Sequence, residues 1–160
     1  MTKITIYTDG SALGNPGPGG YGIVMRSGKH RKDISQGYQL TTNNRMELLA
    51  VIVALETIRS EQAEVTVYSD SKYVVDAIEK GWVFDWVKKG FKKKKNPDLW
   101  KRFLKIYPKH NVKLRWVKGH DGNPFNERCD QLAVSAANHS DLLEDKGYVE
   151  SKISDDGALF

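Results

Sequence analysis

Residues Lys3 to Asp9 run Lys-Ile-Thr-Ile-Tyr-Thr-Asp, alternating with period two and rich in β-branched side chains. That is the pattern of a strand, and Gly10 is expected to end it. The turn-dense stretch Gly14 to Gly20 follows, then two further strand patterns, Tyr21 to Met25 and Ile34 to Leu40, joined near Ser27-Gly28. The first third therefore reads as an antiparallel meander. Asn43 to Arg59 reads as a helix, and its stretch Leu48 to Leu55 is apolar nearly all round, so it is expected to be buried. Glu64 to Ser69 is another strand, and Asp70-Ser71 supplies N-caps for a helix over Tyr73 to Lys80 that Gly81 stops. Trp82 to Asn96 mixes aromatic residues with lysines and predicts a short helix and a protruding loop. Pro97 to Lys109 reads as a helix, Val112 to Val117 as a strand, and Phe125 to Asn138 as the last long helix. The order implies an α/β fold, a mixed sheet with helices on both faces.

These elements fill one domain over residues 1–140. Residues 141–160 are polar and acidic with few apolar anchors, which predicts a short ordered extension and then a frayed, partly disordered tail. A chain of 160 residues buries enough surface for a core without staples. No apolar run approaches the roughly 20 residues of a bilayer span, and the N-terminus shows no secretory signal. With one cysteine, Cys129, no internal disulfide is possible, so a reducing, cytoplasmic setting is the expectation. The formal net charge of +5 hides an asymmetry: residues 88–118 hold 13 basic and 1 acidic side chain, whereas residues 119–160 hold 3 and 9. A solvated lysine-rich face and a polyanion-binding element both fit that stretch.

Four acids stand out. Asp9 closes the first strand, Glu47 lies in the first turn of the buried helix, Asp70 follows the fourth strand, and Asp130 sits within the last helix. Each has an ordinary reading: a turn pair with Gly10, a capping box from Asn44, an N-cap, a surface helix residue. Together they point elsewhere, because ligands of α/β sheets bind at the carboxyl edge of the strands. Carboxylates gathered there need a cation, and hard oxygen ligands select Mg²⁺ or Mn²⁺. Two such ions can activate water and stabilise a leaving oxygen in phosphodiester cleavage. His120, in the turn-rich loop before the helix of Asp130, has an ordinary pKa suited to proton transfer, though a solvated loop histidine is the plainer reading. Cys129 lacks partners at zinc-site spacing and reads as a small core residue. Gly14 to Gly20 is followed by no Gly-Lys-Ser/Thr, so it is not a P-loop.

Tyr7-Thr8-Asp9-Gly10-Ser11 through Gly22, Thr41-Thr42-Asn43-Asn44-Arg45-Met46-Glu47-Leu48, Tyr68-Ser69-Asp70-Ser71, and Trp116-Val117-Lys118-Gly119-His120 through Asp130 resemble the signature blocks of bacterial type 1 ribonuclease H, in that family's order and spacing. The resemblance covers roughly residues 3–138. It implies the ribonuclease H-like fold, a five-stranded mixed sheet flanked by helices. It also implies metal-dependent endonucleolytic hydrolysis of the RNA strand of an RNA/DNA hybrid, leaving 5′-phosphate and 3′-hydroxyl ends.

By the same resemblance Asp9, Glu47, Asp70 and Asp130 hold two Mg²⁺ ions, Mn²⁺ being able to substitute, and His120 assists proton transfer or product release. Asn15, Thr42, Asn43 and Asn44 belong to the substrate contacts. Trp82, Trp86, Lys88, Lys89, Lys92 and Lys93 belong to the family's basic protrusion, which grips the DNA strand. A monomer with no membrane association and no obligate protein partner is implied as well. The chain departs from the family's pattern at Lys72, which stands where glutamine is usual and makes that substrate contact either ionic or rearranged, at Asn123, where many bacterial members have a second histidine, and at Lys92 to Lys95, a stretch shorter than the protrusion of some relatives.

Overall fold

The computed structural model describes residues 1–119 and 121–157. Its sheet has five strands, β1 (Thr2–Ala12), β2 (Gly17–Ser27), β3 (His30–Thr41), β4 (Ala63–Ser69) and β5 (Asn111–Trp116), in the order β3-β2-β1-β4-β5. The β1-β2 and β2-β3 pairs are antiparallel, and β1-β4 and β4-β5 are parallel. The helices are α1 (Asn43–Thr57), α2 (Lys72–Glu79), α3 (Trp82–Lys88), α4 (Pro97–Ile106), α5 (Pro124–Ala137) and α6 (Lys146–Gly157), with a 3₁₀ turn over Tyr107–Lys109 after α4.

The mixed α/β architecture matches the expectation, and the strands of the meander are longer than their patterns predict. β1 continues through Gly10 to Ala12 because Asp9 to Ala12 pair with Gly22 to Gly19. Gly10 does not end it: the glycine serves a close approach, since a side-chain carbon there would overlap the backbone nitrogen of Glu47. Gly22, opposite Asp9, does the same on the other face, where such a carbon would overlap the Cys129 carbonyl oxygen. So α1 and α5 cover opposite faces of β1 and β2, and both come close to the sheet beside Asp9. The apolar stretch of α1 is buried from Arg45 to Ile52 and again at Ala54 and Leu55, which makes this helix the centre of the core.

Within the extension past residue 140, residues 141–157 are built onto the sheet and into a further helix. Gln39 N–H donates to the Leu143 carbonyl at 2.8 Å and Leu143 N–H to the Gly37 carbonyl at 3.0 Å, continuing the pairing beyond β3. Asp145 is buried, and α6 follows it. The anchors are a carboxylate and the ring of Tyr148 rather than an apolar run, which is why a hydrophobicity pattern misses them.

Candidate active site

The parallel register places Thr8 beside Ser69. One residue further on, Asp9 and Asp70 therefore lie next to each other at the carboxyl edge of neighbouring strands, in the middle of the sheet, where connections leave in opposite directions. Glu47 reaches the same point from α1. One carboxylate oxygen from each of Asp9, Glu47 and Asp70 lies within 4.8 Å of the others. Asp130, from α5, lines the same cleft of about 460 Å³, together with Ser11, Asn43, Asn44 and Lys72.

The ordinary readings of three acids fail on geometry. Asp9 is inside a paired strand, so it is not half of a turn. The N-cap of α1 is Thr42, whose hydroxyl oxygen accepts from Arg45 N–H at 3.3 Å, which puts Glu47 beyond the first turn and outside any capping box. The N-cap of α2 is Ser71, accepting from Val74 N–H at 3.3 Å, so the Asp70 carboxylate is spared that task.

Three acids at one point are held at a cost. Burial pushes the Asp9 carboxyl up to about 7, with the charges of Asp70 and Asp130 adding to the effect. Burial also holds Glu47 well above the usual carboxylate range, reinforced by Asp9 and Asp70. Glu47 is 8% exposed, and its Oε1 is fully buried without a hydrogen-bond partner. A buried acceptor with no donor, between two further carboxylates, is what a cation ligand looks like without its cation. The donor set is all oxygen and anionic, which fits a hard divalent ion such as Mg²⁺ or Mn²⁺ and disfavours softer metals.

The asparagines expected beside the site fasten its loops. The Asn43 side-chain oxygen accepts from Ala12 N–H at 2.6 Å, tying the end of β1 to the start of α1. The Asn15 oxygen in turn accepts from Asn43 N–H at 3.0 Å. Asn44 is exposed and borders three cavities at once: the acidic cleft, one along α3 and one beside α6. Lys72 lines the acidic cleft with its ammonium 4.7 Å from the centre of the Trp116 ring, and the Trp116 indole N–H donates to the Asp70 carbonyl at 3.1 Å. His120 lies outside the described residues. Asn123, a second departure from the family pattern, is the N-cap of α5, its side chain accepting from Phe125 and Asn126 N–H.

In the basic segment, Lys88, Lys89 and Lys92 to Lys95 are all exposed. Its aromatic residues are less a contact surface than an anchor. Phe91 is buried, and Trp86 packs edge-on against Trp100 at 5.7 Å. Trp82, at 44% exposure, is the freely presented ring among them. Trp82 and Trp86 together line a cavity of about 270 Å³ with Lys93 to Lys95. Cys129 is fully buried and its thiol donates to the Tyr7 carbonyl at 3.2 Å, so it is a core residue as expected.

Some neighbours of the site escaped sequence reasoning. Ser11 follows Asp9 by two positions on a strand, so it shares its face, a signal that period-two counting offers. Arg45, buried two residues before Glu47, gave none: its partners Asp98 and Asp145 lie 53 and 100 residues away.

Fold and cleft together define an α/β protein with a buried cluster of carboxylates at the carboxyl edge of its sheet. The RNase H family model matches residues 1–138, and the chain belongs to the ribonuclease H family. A ribonuclease H of Desulforamulus reducens is 58% identical over 147 residues, covering 89% of this chain and 92% of that protein. One of Trichodesmium erythraeum is 55% identical over 152 residues, covering 92% and 96%. Among solved structures, LC11-RNase H1 in complex with an RNA/DNA hybrid is similar with a TM-score of 0.63 and 31% identity, over 84% of this chain and 96% of that one. LC9-RNase H1, described as a type 1 RNase H with the type 2 active-site motif, gives 0.78 and 36% over 86% and 72%.

Proposed function

We propose that this protein hydrolyses the RNA strand of RNA/DNA hybrids endonucleolytically, with two divalent cations held by Asp9, Glu47, Asp70 and Asp130. The observation that carries the reading is the meeting of three carboxylate oxygens, one each from Asp9, Glu47 and Asp70, within 4.8 Å, with the Oε1 of that glutamate buried and without a partner. Family membership and a relative bound to a hybrid give it its substrate. The cations, when bound, would activate a water and stabilise the leaving oxygen of the phosphodiester.

The chain's own groups do the rest. Asp9 and Asp70 set the cation position from adjacent strands, rigid supports that hold geometry better than loops. The water oxygen bonds to phosphorus and the bond from phosphorus to the 3′-oxygen breaks. The products are a 5′-phosphate and a 3′-hydroxyl, which takes up a proton. His120 is the proposed carrier of that proton. Glu47, Asn43 and Asn44 border the groove from α1, where polar side chains can read the 2′-hydroxyl that separates RNA from DNA. Lys72 and the lysines of the basic segment hold phosphates without regard to sequence. A monomer in a reducing, cytoplasmic compartment completes the reading, one that a single buried thiol suits.

A cleavage assay on end-labelled RNA/DNA hybrid tests it, with matched RNA and DNA duplexes as controls, with and without Mg²⁺. Internal cutting of the hybrid's RNA only with Mg²⁺ is expected. A hybrid flanked by duplex DNA separates this from an exonuclease of the same fold, which would need a free end. Uncut hybrid in Mg²⁺ or Mn²⁺ would sink the proposal.

A further inference from the structure

By charge alone the residues after 140, net acidic, are a poor surface for a polyanion. Their placement argues otherwise. A cavity of about 610 Å³ lies beside the acidic cleft, walled on one side by Asn15, Thr42 and Asn44, on another by the Lys94-Lys95-Asn96 ridge, and on the third by Tyr148, Ser151 and Lys152 of α6. Among its described lining residues are three lysines, Lys94, Lys95 and Lys152, and no acid. Asp145, the buried acid of the extension, is consumed by Arg45 and Thr41.

Three cavities meet at Asn44. The acidic cleft, the aromatic cavity of Trp82 and Trp86, and this third cavity all include it, and the last two also share Lys94, Lys95 and Asn96. The ridge therefore has the aromatic cavity on one side and α6 on the other. A polyanion strand laid along the ridge has lysine ammonium groups on both flanks only if α6 contributes one, and Lys152 is the cation it contributes. Its Nζ lies 5.5 Å from the centre of the Tyr148 ring, and Tyr148 is itself buried, at 7% exposure. The ring gives the lysine a fixed base to rest on while its surface stays open. The wall is also tied to the site: Arg45 joins Asp145, just before α6, and Asp98, in the first turn of α4, to the start of α1.

We propose that the substrate groove bordered by Asn15, Thr42 and Asn44 extends onto α6, where Lys152 contacts a backbone phosphate of the hybrid away from the scissile position. This rests on the hybrid reading of the acidic cleft and extends it to a part of the chain that its charge seemed to exclude. The groove is continuous with the acidic cleft through Asn44 and carries the complementary charge, and those two features select a nucleic-acid backbone as its occupant.

Hybrid binding by fluorescence anisotropy, in chelator so that nothing is cut, tests the proposal across a salt series. Lys152→Ala is expected to lower the slope of log affinity against log salt by about 0.9, one phosphate contact fewer, and Lys152→Arg to restore it. A purely structural role for Lys152 would move the melting temperature and leave the slope alone. In cleavage the loss is expected in KM, several-fold. If Lys152→Ala binds with the wild-type slope while wild type binds and cuts the hybrid, the α6 groove is wrong and the acidic-cleft reading stands. If wild type neither binds nor cuts the hybrid, both fall.

Discussion

Arg45 and Asp145, 100 residues apart, form a buried two-point ion pair: Arg45 Nε donates to Asp145 Oδ2 at 2.8 Å and Nη2 to Oδ1 at 2.9 Å. The same guanidinium donates to Asp98 at 2.7 and 2.8 Å, and Thr41 Oγ1 donates to Asp145 Oδ2 at 2.7 Å. One arginine thus ties the start of α1, the start of α4 and the entry to α6 together. Because Arg45 is 2% exposed, its charge depends on these partners.

Asp145→Ala is therefore expected to be strongly destabilising, by about 3 kcal/mol, the lower part of the range for stranding one member of a buried pair, since Asp98 remains. Denaturant unfolding measures it. The loss should include undocking of α6, seen as fast amide exchange from residue 146 onward while α1 stays protected. A variant as stable as wild type would show that the network does not anchor the extension.

The second prediction concerns Glu47. Without metal its buried, partnerless oxygen and raised pKa make the carboxylate a burden on the fold. Glu47→Gln is expected to raise the melting temperature in chelator, to abolish the further rise that Mg²⁺ gives wild type, and to cut hybrid cleavage by more than about 100-fold, beyond the loss of an outer-shell partner. Stability and activity move in opposite directions, as at sites held under strain for function. A destabilised Glu47→Gln with an intact Mg²⁺ response would remove Glu47 from the cation site.

The third turns on His110, whose Nδ1 accepts from Ala63 N–H at 3.1 Å, joining the start of β4 to the residue before β5. Partial burial and Lys109 lower its pKa below the usual 6.5. The folded state therefore binds this proton less readily than the unfolded chain, so His110 makes stability fall as pH drops from about 7 toward 5. Asp9, pushed up to about 7, acts in the opposite sense over the same range in metal-free protein. The difference between wild-type and His110→Asn stability curves isolates the histidine, and it should narrow from pH 7 to 5. Parallel curves would show that this nitrogen carries no pH dependence.

How far the sequence discloses this molecule depends on the range of the interaction. Asp9 and Asp70 are legible because each closes a period-two pattern that is local, although β1 itself runs on to Ala12, and parallel pairing then brings them together. Gly10 misleads: its sequence neighbourhood says turn, whereas its lack of a side chain answers to α1, which packs across it from the other side of the chain. The capping box from Asn44 fails likewise because Thr42, two residues earlier, takes the cap and moves Glu47 two positions further into the helix. Arg45, Asp98 and Asp145 are illegible for the opposite reason. Charged residues usually face water, and nothing local marks these three as partners; only the packing of α1, α4 and the extension makes them so.

The fourth prediction asks the basic segment to act as a surface rather than as a fold element. Lys88, Lys89, Lys92 and Lys93 are exposed and form no ion pair among the described residues, while the segment is held by Phe91, buried at 5% exposure, and by Trp86 on Trp100. Replacing the four lysines with alanine should therefore leave unfolding nearly unchanged, each surface change falling within about 0.5 kcal/mol. Hybrid binding should weaken, and its salt slope should flatten by up to about 0.9 for each lysine that had released a counterion. Trp86→Ala is the contrasting variant: it removes an anchor, so it should lower stability by about 3 kcal/mol or more and disturb the lysines only through the fold. A quadruple alanine variant with wild-type slope would exclude the segment from the nucleic-acid footprint, whatever its charge.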